Sequence, residues 1–207
     1  MHHHRGDREG AKQPKRFDPA RAARLDDPER LIHIPPQRIV ELLQLSDGTL
    51  LDFGTGTGAY ALPLARLLPA VSILAFDEQL KMLAILDAKL AANPVANVKV
   101  IGPEGLAPFV GHIDRVLAIN VLHEIGDSDL AGIPALLSPG GQALFIDWNA
   151  DVERPIGPSA EHVYGVREAS SRLERFGFSP QRTELFAYHY AIECSRAVKT
   201  SSIPVLN

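Results

Sequence analysis

Short apolar runs and longer periodic stretches succeed one another along most of this chain. Residues 49–53, 71–76, 97–101, 113–120 and 142–147 are rich in Val, Ile, Leu, Phe and Ala and read as strands. The run over 113–120 is nearly continuous, as suits a strand buried on both faces. Between the runs, apolar residues recur three and four apart over 59–68, 78–92 and 128–137, which predicts helices. Leu80, Leu83, Ala84 and Leu90 share one face of the second of these, and Pro63 fits the first because it lies near the opening turn. Upstream, residues 26–30 read as a short helix or turn. Pro35-Pro36 then opens a helix running to about residue 45, with Ile39, Leu42 and Leu43 on its apolar face and Ser46-Asp47-Gly48 ending it. Downstream, Ser138-Pro139-Gly140-Gly141 reads as a turn. A long loop leads to a helix over 163–176 closed by Gly177, and two last strands over 181–186 and 188–196 form a hairpin-like pair.

Strands alternating with helices in this way predict an α/β fold: a doubly wound, mostly parallel sheet with helices on both faces. A ligand then belongs at the carboxyl ends of the strands, near the point where strand order reverses. The chain of 207 residues suits one domain, expected over 25–207. Residues 1–24 are expected to form a flexible basic segment, with Arg5, Arg8, Lys12, Lys15, Arg16, Arg21 and Arg24 against Asp7, Glu9 and Asp18. Such a segment is either a solvated tail or an arm for an anionic partner. His2, His3 and His4 receive no function.

Composition narrows the classes. A single cysteine, Cys194, excludes a disulfide framework and a multi-cysteine metal site. No apolar run reaches the roughly 18–20 residues of a membrane span, and the N-terminus lacks a secretory pattern, so a cytoplasmic protein is expected. A net charge of −4 speaks against nucleic acid as a partner. His112, His123, His162, His189 and Cys194 match no ligand spacing, and no metal is expected. Nothing here bears on oligomeric state.

The chemistry concentrates in residues 49–58, Thr-Leu-Leu-Asp-Phe-Gly-Thr-Gly-Thr-Gly. A strand ends in an acid, glycines alternate, and a helix follows. Such a turn brings backbone N–H groups of a helix N-terminus against a ligand. Gly54, Gly56 and Ala59 by themselves also satisfy the dinucleotide pattern, which leaves a nicotinamide- or flavin-dependent oxidoreductase open. Asp52 discriminates. A carboxylate is poorly placed beside a pyrophosphate and suits a cationic ligand. Asp77, 19 residues past Gly58, is placed either to accept hydrogen bonds from ribose hydroxyls or to cap the next helix, and both roles are compatible.

D-x-G-x-G-x-G, as Asp52 to Gly58, resembles the first motif of the class I S-adenosyl-L-methionine (SAM)-dependent methyltransferases. Asn120-Val121-Leu122-His123-Glu124-Ile125 resembles the N-V-L-H-H-I segment of the quinone C-methyltransferase-like (type 11) branch. Further similarity to a small bacterial and archaeal group runs through Phe17-Asp18-Pro19, Leu25-Asp26-Asp27-Pro28-Glu29-Arg30, Asp147-Trp148, Gly157-Pro158, Glu161-His162, Gly177-Phe178 and Tyr188-His189-Tyr190. Together these matches span about residues 17 to 194.

The resemblance implies a seven-stranded sheet with its last strand antiparallel, SAM as cofactor and a small-molecule methyl acceptor. It implies cofactor contacts at Asp52, Gly54, Thr55, Gly56, Gly58, Asp77 and Asn120. It places adenine near Gly102-Pro103-Glu104, where Pro103 occupies the usual acid position, so that either Glu104 or backbone groups make the contact. His123 is either a catalytic base or a structural histidine. Tyr60, Trp148, His162, Tyr188 and Tyr190 either line an apolar acceptor pocket or simply pack. The segment up to about residue 35 is expected to act as a lid. No Asn/Asp-Pro-Pro-Tyr/Phe motif is present, which argues against amino methylation of adenine or glutamine, and one cysteine argues against arsenite methylation. A SAM-binding regulator without catalysis remains the other alternative.

Overall fold

The computed structural model describes residues 17–198; the first sixteen residues of the expected basic segment lie outside them. Seven strands form one sheet: β1 (Gly48–Phe53), β2 (Val71–Phe76), β3 (Val98–Ile101), β4 (Ile113–Ile119), β5 (Leu137–Trp148), β6 (Phe178–Leu185) and β7 (His189–Arg196). Their spatial order is β3-β2-β1-β4-β5-β7-β6. β1 to β5 pair in parallel, and β7 runs antiparallel to both of its neighbours. The doubly wound sheet and its reversed last strand are as expected. The order reverses between β1 and β4, so the crevice at their carboxyl ends lies just past Phe53 and Ile119.

Side chains on each strand alternate between two apolar layers. Leu50, Ile73, Leu117, Leu144 and Ala191 face one layer, covered by α2 (Pro36–Leu43), α3 (Ala61–Leu67) and α4 (Leu80–Ala92) through Ile39, Leu64 and Leu86. Leu51, Leu74, Val116, Phe145 and Tyr190 face the other, covered by α5 (Asp127–Leu136) and α6 (Val166–Arg175) through Ile133 and Leu173. Burial on both faces explains why the central strands read as apolar runs.

Two differences from the sequence reading have local causes. The Ser138–Gly141 turn lies inside β5. Ile113 pairs with Leu137 whereas Arg115 pairs with Gln142, so the intervening residues bulge from a continuous strand. Helical structure is also described ahead of residue 25, within part of the segment expected to be flexible. A 3-10 helix spans Pro19–Asp26, with the Asp18 carboxylate accepting from the Ala20 N–H at 3.0 Å. It is followed by α1 (Glu29–His33). This N-terminal segment lies across the crevice.

Candidate cofactor and acceptor site

The glycine turn follows β1 directly. Gly54, Gly56 and Gly58 all have positive φ. The Gly54 and Thr55 N–H groups donate to the Phe76 carbonyl, which ties the turn to the end of β2. Asp52 is buried and accepts from the Thr55 hydroxyl at 2.7 Å. Burial drives its carboxyl up to about 6, against the Thr55 bond; the nearby Asp77 charge adds to the rise and Arg30 opposes it. A buried acid in this state is stabilised by any cation brought beside it. Asp77, also buried, spans the turn: one oxygen accepts from the Gly56 N–H at 2.9 Å and the other from Gln79 N–H at 2.8 Å. It therefore closes an Asx turn onto Gln79, the residue that precedes α4, and each oxygen retains a lone pair.

Asn120 follows β4 with φ of 57°, and its buried Oδ1 has no hydrogen-bond partner. Asp52, Gly54, Thr55, Gly56, Asp77 and Asn120 all line one cavity of about 880 Å³. A second cavity of about 460 Å³, largely apolar, shares Gly54, Asp77, Gln79, Val121 and Glu124 with the first. Phe53, Phe76, Pro103, Leu106 and Ile133 form its other walls. Glu104 is exposed and lines neither cavity. Gly58 lines neither as well; a Cβ there would lie 2.4 Å from Leu86 Cδ1, so its smallness serves the contact with α4.

His123 reaches the cavity wall but is held from behind. Its Nδ1 lies 2.8 Å from an oxygen of Asp147, which is fully buried at the end of β5. The same carboxylate accepts from the His123 and Trp148 N–H groups, and Glu124 lies 3.5 Å from His123 Nε2. Burial alone would lower the basicity of this imidazole. The Asp147 carboxylate reverses that, with Glu124 assisting, and raises it to about 10. A value raised in this way favours the imidazolium form of His123 at neutral pH, with Nδ1–H donating to Asp147. Asp147 is a residue that sequence reasoning did not assign to the site, although an acid closing the fifth strand beside the crevice was the available signal.

The aromatic candidates separate. Tyr60 lines the cavity, is buried, and donates its hydroxyl to the Arg30 carbonyl at 3.0 Å. Trp148 and the exposed His162 line it too. Tyr188 packs edge-on against His33, with ring centroids 5.1 Å apart, and lines neither cavity. Tyr190 is fully buried within the α5–α6 layer. In a strand, neighbouring side chains point to opposite faces, so it is His189, between these tyrosines, that enters the cavity.

The N-terminal segment roofs this space. Leu25 lies over Gly56, where an added Cβ would come within 2.9 Å of its Cδ1. The Phe17 N–H donates to Glu124 at 2.9 Å, and Asp26 accepts from Thr57 at 2.7 Å and pairs with Lys89 at 2.6 Å.

Comparison with known proteins agrees with this geometry. A family model described as a methyltransferase domain matches residues 50–141. A SAM-dependent methyltransferase from Aquifex aeolicus superposes with a TM-score of 0.80 at 28% identity, covering 86% of this chain and 98% of that one. A structure from Methanococcus maripaludis at 19% identity shares the fold, with a TM-score of 0.70 over 92% of this chain and 99% of that one. A tRNA (guanine-N(7)-)-methyltransferase of Anaeromyxobacter dehalogenans (strain 2CP-C) is 31% identical over 143 residues, 62% of this chain. The chain spans 65% of that curated relative's length. Its acid-and-glycine turn, its seven-stranded order and these likenesses together support the class I SAM-dependent methyltransferase superfamily as the family of this chain.

Proposed function

We propose that the protein transfers a methyl group from SAM to a small-molecule acceptor. The observation behind this reading is the pair of buried carboxylates, Asp52 and Asp77, flanking a glycine turn that opens on a cavity. A ligand bearing cations and hydroxyls but no phosphate suits both, whereas a pyrophosphate would meet like charge at Asp52. When bound, SAM supplies an electrophilic methyl group on a sulfonium leaving group. Asp52, Gly54 and Asn120 hold the methionine end, and the orphan Asn120 Oδ1 gains a partner there. Asp77 accepts from the ribose hydroxyls. The apolar second cavity takes the adenine, with the backbone near Pro103 facing it in place of Glu104. The protein aligns the reactants and excludes water.

An acceptor enclosed beneath the N-terminal segment is small. The relative that acts on tRNA does not fix the acceptor of this chain, and a net charge of −4 opposes a nucleic acid. Mass spectrometry of ligand retained through purification is expected to find SAM or S-adenosylhomocysteine. Calorimetry showing micromolar NAD binding and no SAM binding would sink the reading.

Asp77→Ala removes the ribose partner and the bond to Gly56. It is expected to weaken SAM by about 1.5–3 kcal/mol, with Asp77→Asn milder. Unchanged affinity in a folded Asp77→Ala variant would leave Asp77 as a turn residue alone.

A pH dependence follows from Asp52. Its carboxyl titrates at about 6 without ligand, and a bound cation favours the ionised form. Binding therefore releases a proton at low pH. SAM affinity is expected to level off above about pH 7 and to fall by up to about tenfold per pH unit below about pH 6. Calorimetry in two buffers of different ionisation heat reads the released proton. A flat profile would show that no cation approaches Asp52.

The roof bears on turnover. Residues 17–35 are expected to gain hydrogen-exchange protection when cofactor and acceptor bind, as a lid would. Equal protection in both states would mark a static element.

A further inference from the structure

His189, like Asn120, brings an unpartnered polar side chain to the cavity. It is 2% exposed, lines the acceptor side beside Trp148, and neither ring nitrogen has a hydrogen-bond partner. Buried imidazoles nearly always find a partner, so two orphan nitrogens on a residue that lines a cavity mark a place for a ligand group. The Trp148 ring lies 4.0 Å away, centroid to centroid, and fixes the imidazole plane. Ile34, Ile156 and Pro158 add apolar walls to the same cavity.

Resting on the methyl-transfer reading above, we propose that His189 binds the methyl acceptor, accepting a hydrogen bond from an aryl hydroxyl on it. The charged surroundings select this class. Asp147 on β5, Arg30 and His33 on α1, and Arg154 in the loop after β5 all act on His189. Burial is the largest influence and Asp147 alone opposes it; His33, Arg30 and Arg154 add to burial, and the imidazole falls to about 4. It is neutral at physiological pH and has a lone pair to offer, unlike His123. Arg30 and Arg154 disfavour an ammonium acceptor beside it and favour an oxygen that gains negative character. A carbon acceptor without a hydroxyl would leave the imidazole unpartnered. The Trp148 face and apolar walls fit a flat ring. The hydrogen bond holds the hydroxyl proton toward His189 and turns an oxygen lone pair away from it, so this residue positions the acceptor.

Phenol and toluene are the probes, differing by one hydroxyl. The protein is first saturated with S-adenosylhomocysteine, and binding of each probe is followed by imidazole nitrogen NMR shifts. Phenol is expected to bind roughly tenfold more tightly than toluene and to shift the His189 resonance alone among the histidines. H189F is expected to lose the preference, and H189Q, which keeps an acceptor oxygen, to retain part of it. Retained S-adenosylhomocysteine binding reports that each variant is folded, and the wild-type NMR result decides the matter if H189F is not. Equal binding of the two probes by the wild-type protein, or a preference that survives in H189F, overturns the proposal. Failure of the wild-type protein to bind S-adenosylhomocysteine overturns the methyl-transfer reading instead, and is seen before either probe is added.

Discussion

Replacing His123 by alanine is expected to destabilise the protein by about 3 kcal/mol or more, because it strands a buried charge. Asp147 is fully buried and has His123 Nδ1 at 2.8 Å. Its two backbone donors, from His123 and Trp148, survive the substitution. They are dipoles and replace only part of what the imidazolium supplies. The same pair imposes a pH dependence. The folded-state basicity of His123 is raised from 6.5 to about 10. Its contribution is therefore fully present below about pH 6.5 and is lost as pH rises through about 10. Urea denaturation of the wild-type protein should show stability declining across that window, and the alanine variant should show a flatter profile. A loss under about 1 kcal/mol, with the wild-type slope retained, would show that the pair contributes little.

Gly56→Val is expected to reduce SAM affinity by at least about a hundredfold while leaving the fold recognisable by circular dichroism. Gly56 has φ of +56°, a region that β-branched residues rarely adopt. It lines the cavity beside Leu25, and an added Cβ would lie 2.9 Å from that side chain. Its N–H donates to Asp77, so a shift of the turn also moves the ribose acceptor. Backbone strain, lost cavity volume and a displaced carboxylate act together. Wild-type-like affinity by calorimetry would contradict the assignment of this turn to the cofactor.

Much of the fold was legible along the chain. β2 runs over Val71–Phe76, as its apolar run predicted. The strand after residue 113 is apolar because both of its faces are covered, at Val116 on one side and Leu117 on the other. Asp52 and Gly54 could be placed because strand end, turn and helix start are close in sequence, and Asp77 was singled out by its offset from the glycines at the end of the second apolar run. Their relation is set by local backbone geometry.

Less was legible where neighbours are distant in sequence. Asp147 and His123 are 24 residues apart and meet only because β4 and β5 are adjacent. That contact decides the protonation of His123, which residue type alone left open. The late aromatic segment posed a question of phase. Tyr188, His189 and Tyr190 are consecutive, and composition favoured the tyrosines. Trp148 pairs in register with His189, and burial of Tyr190 in the α5–α6 layer turns His189 toward the crevice.

The sequence by itself therefore determined the order of elements, the glycine turn and its acids. These follow from periodicity, from backbone requirements spanning a few residues, and, for Asp77, from its offset along the chain. Tertiary structure alone decided which distant side chains share the cavity and which of them are charged. Strand adjacency, register and burial are properties of the folded sheet, and they determine whether an imidazole is held as a cation beside Asp147 or left neutral and unpartnered at His189.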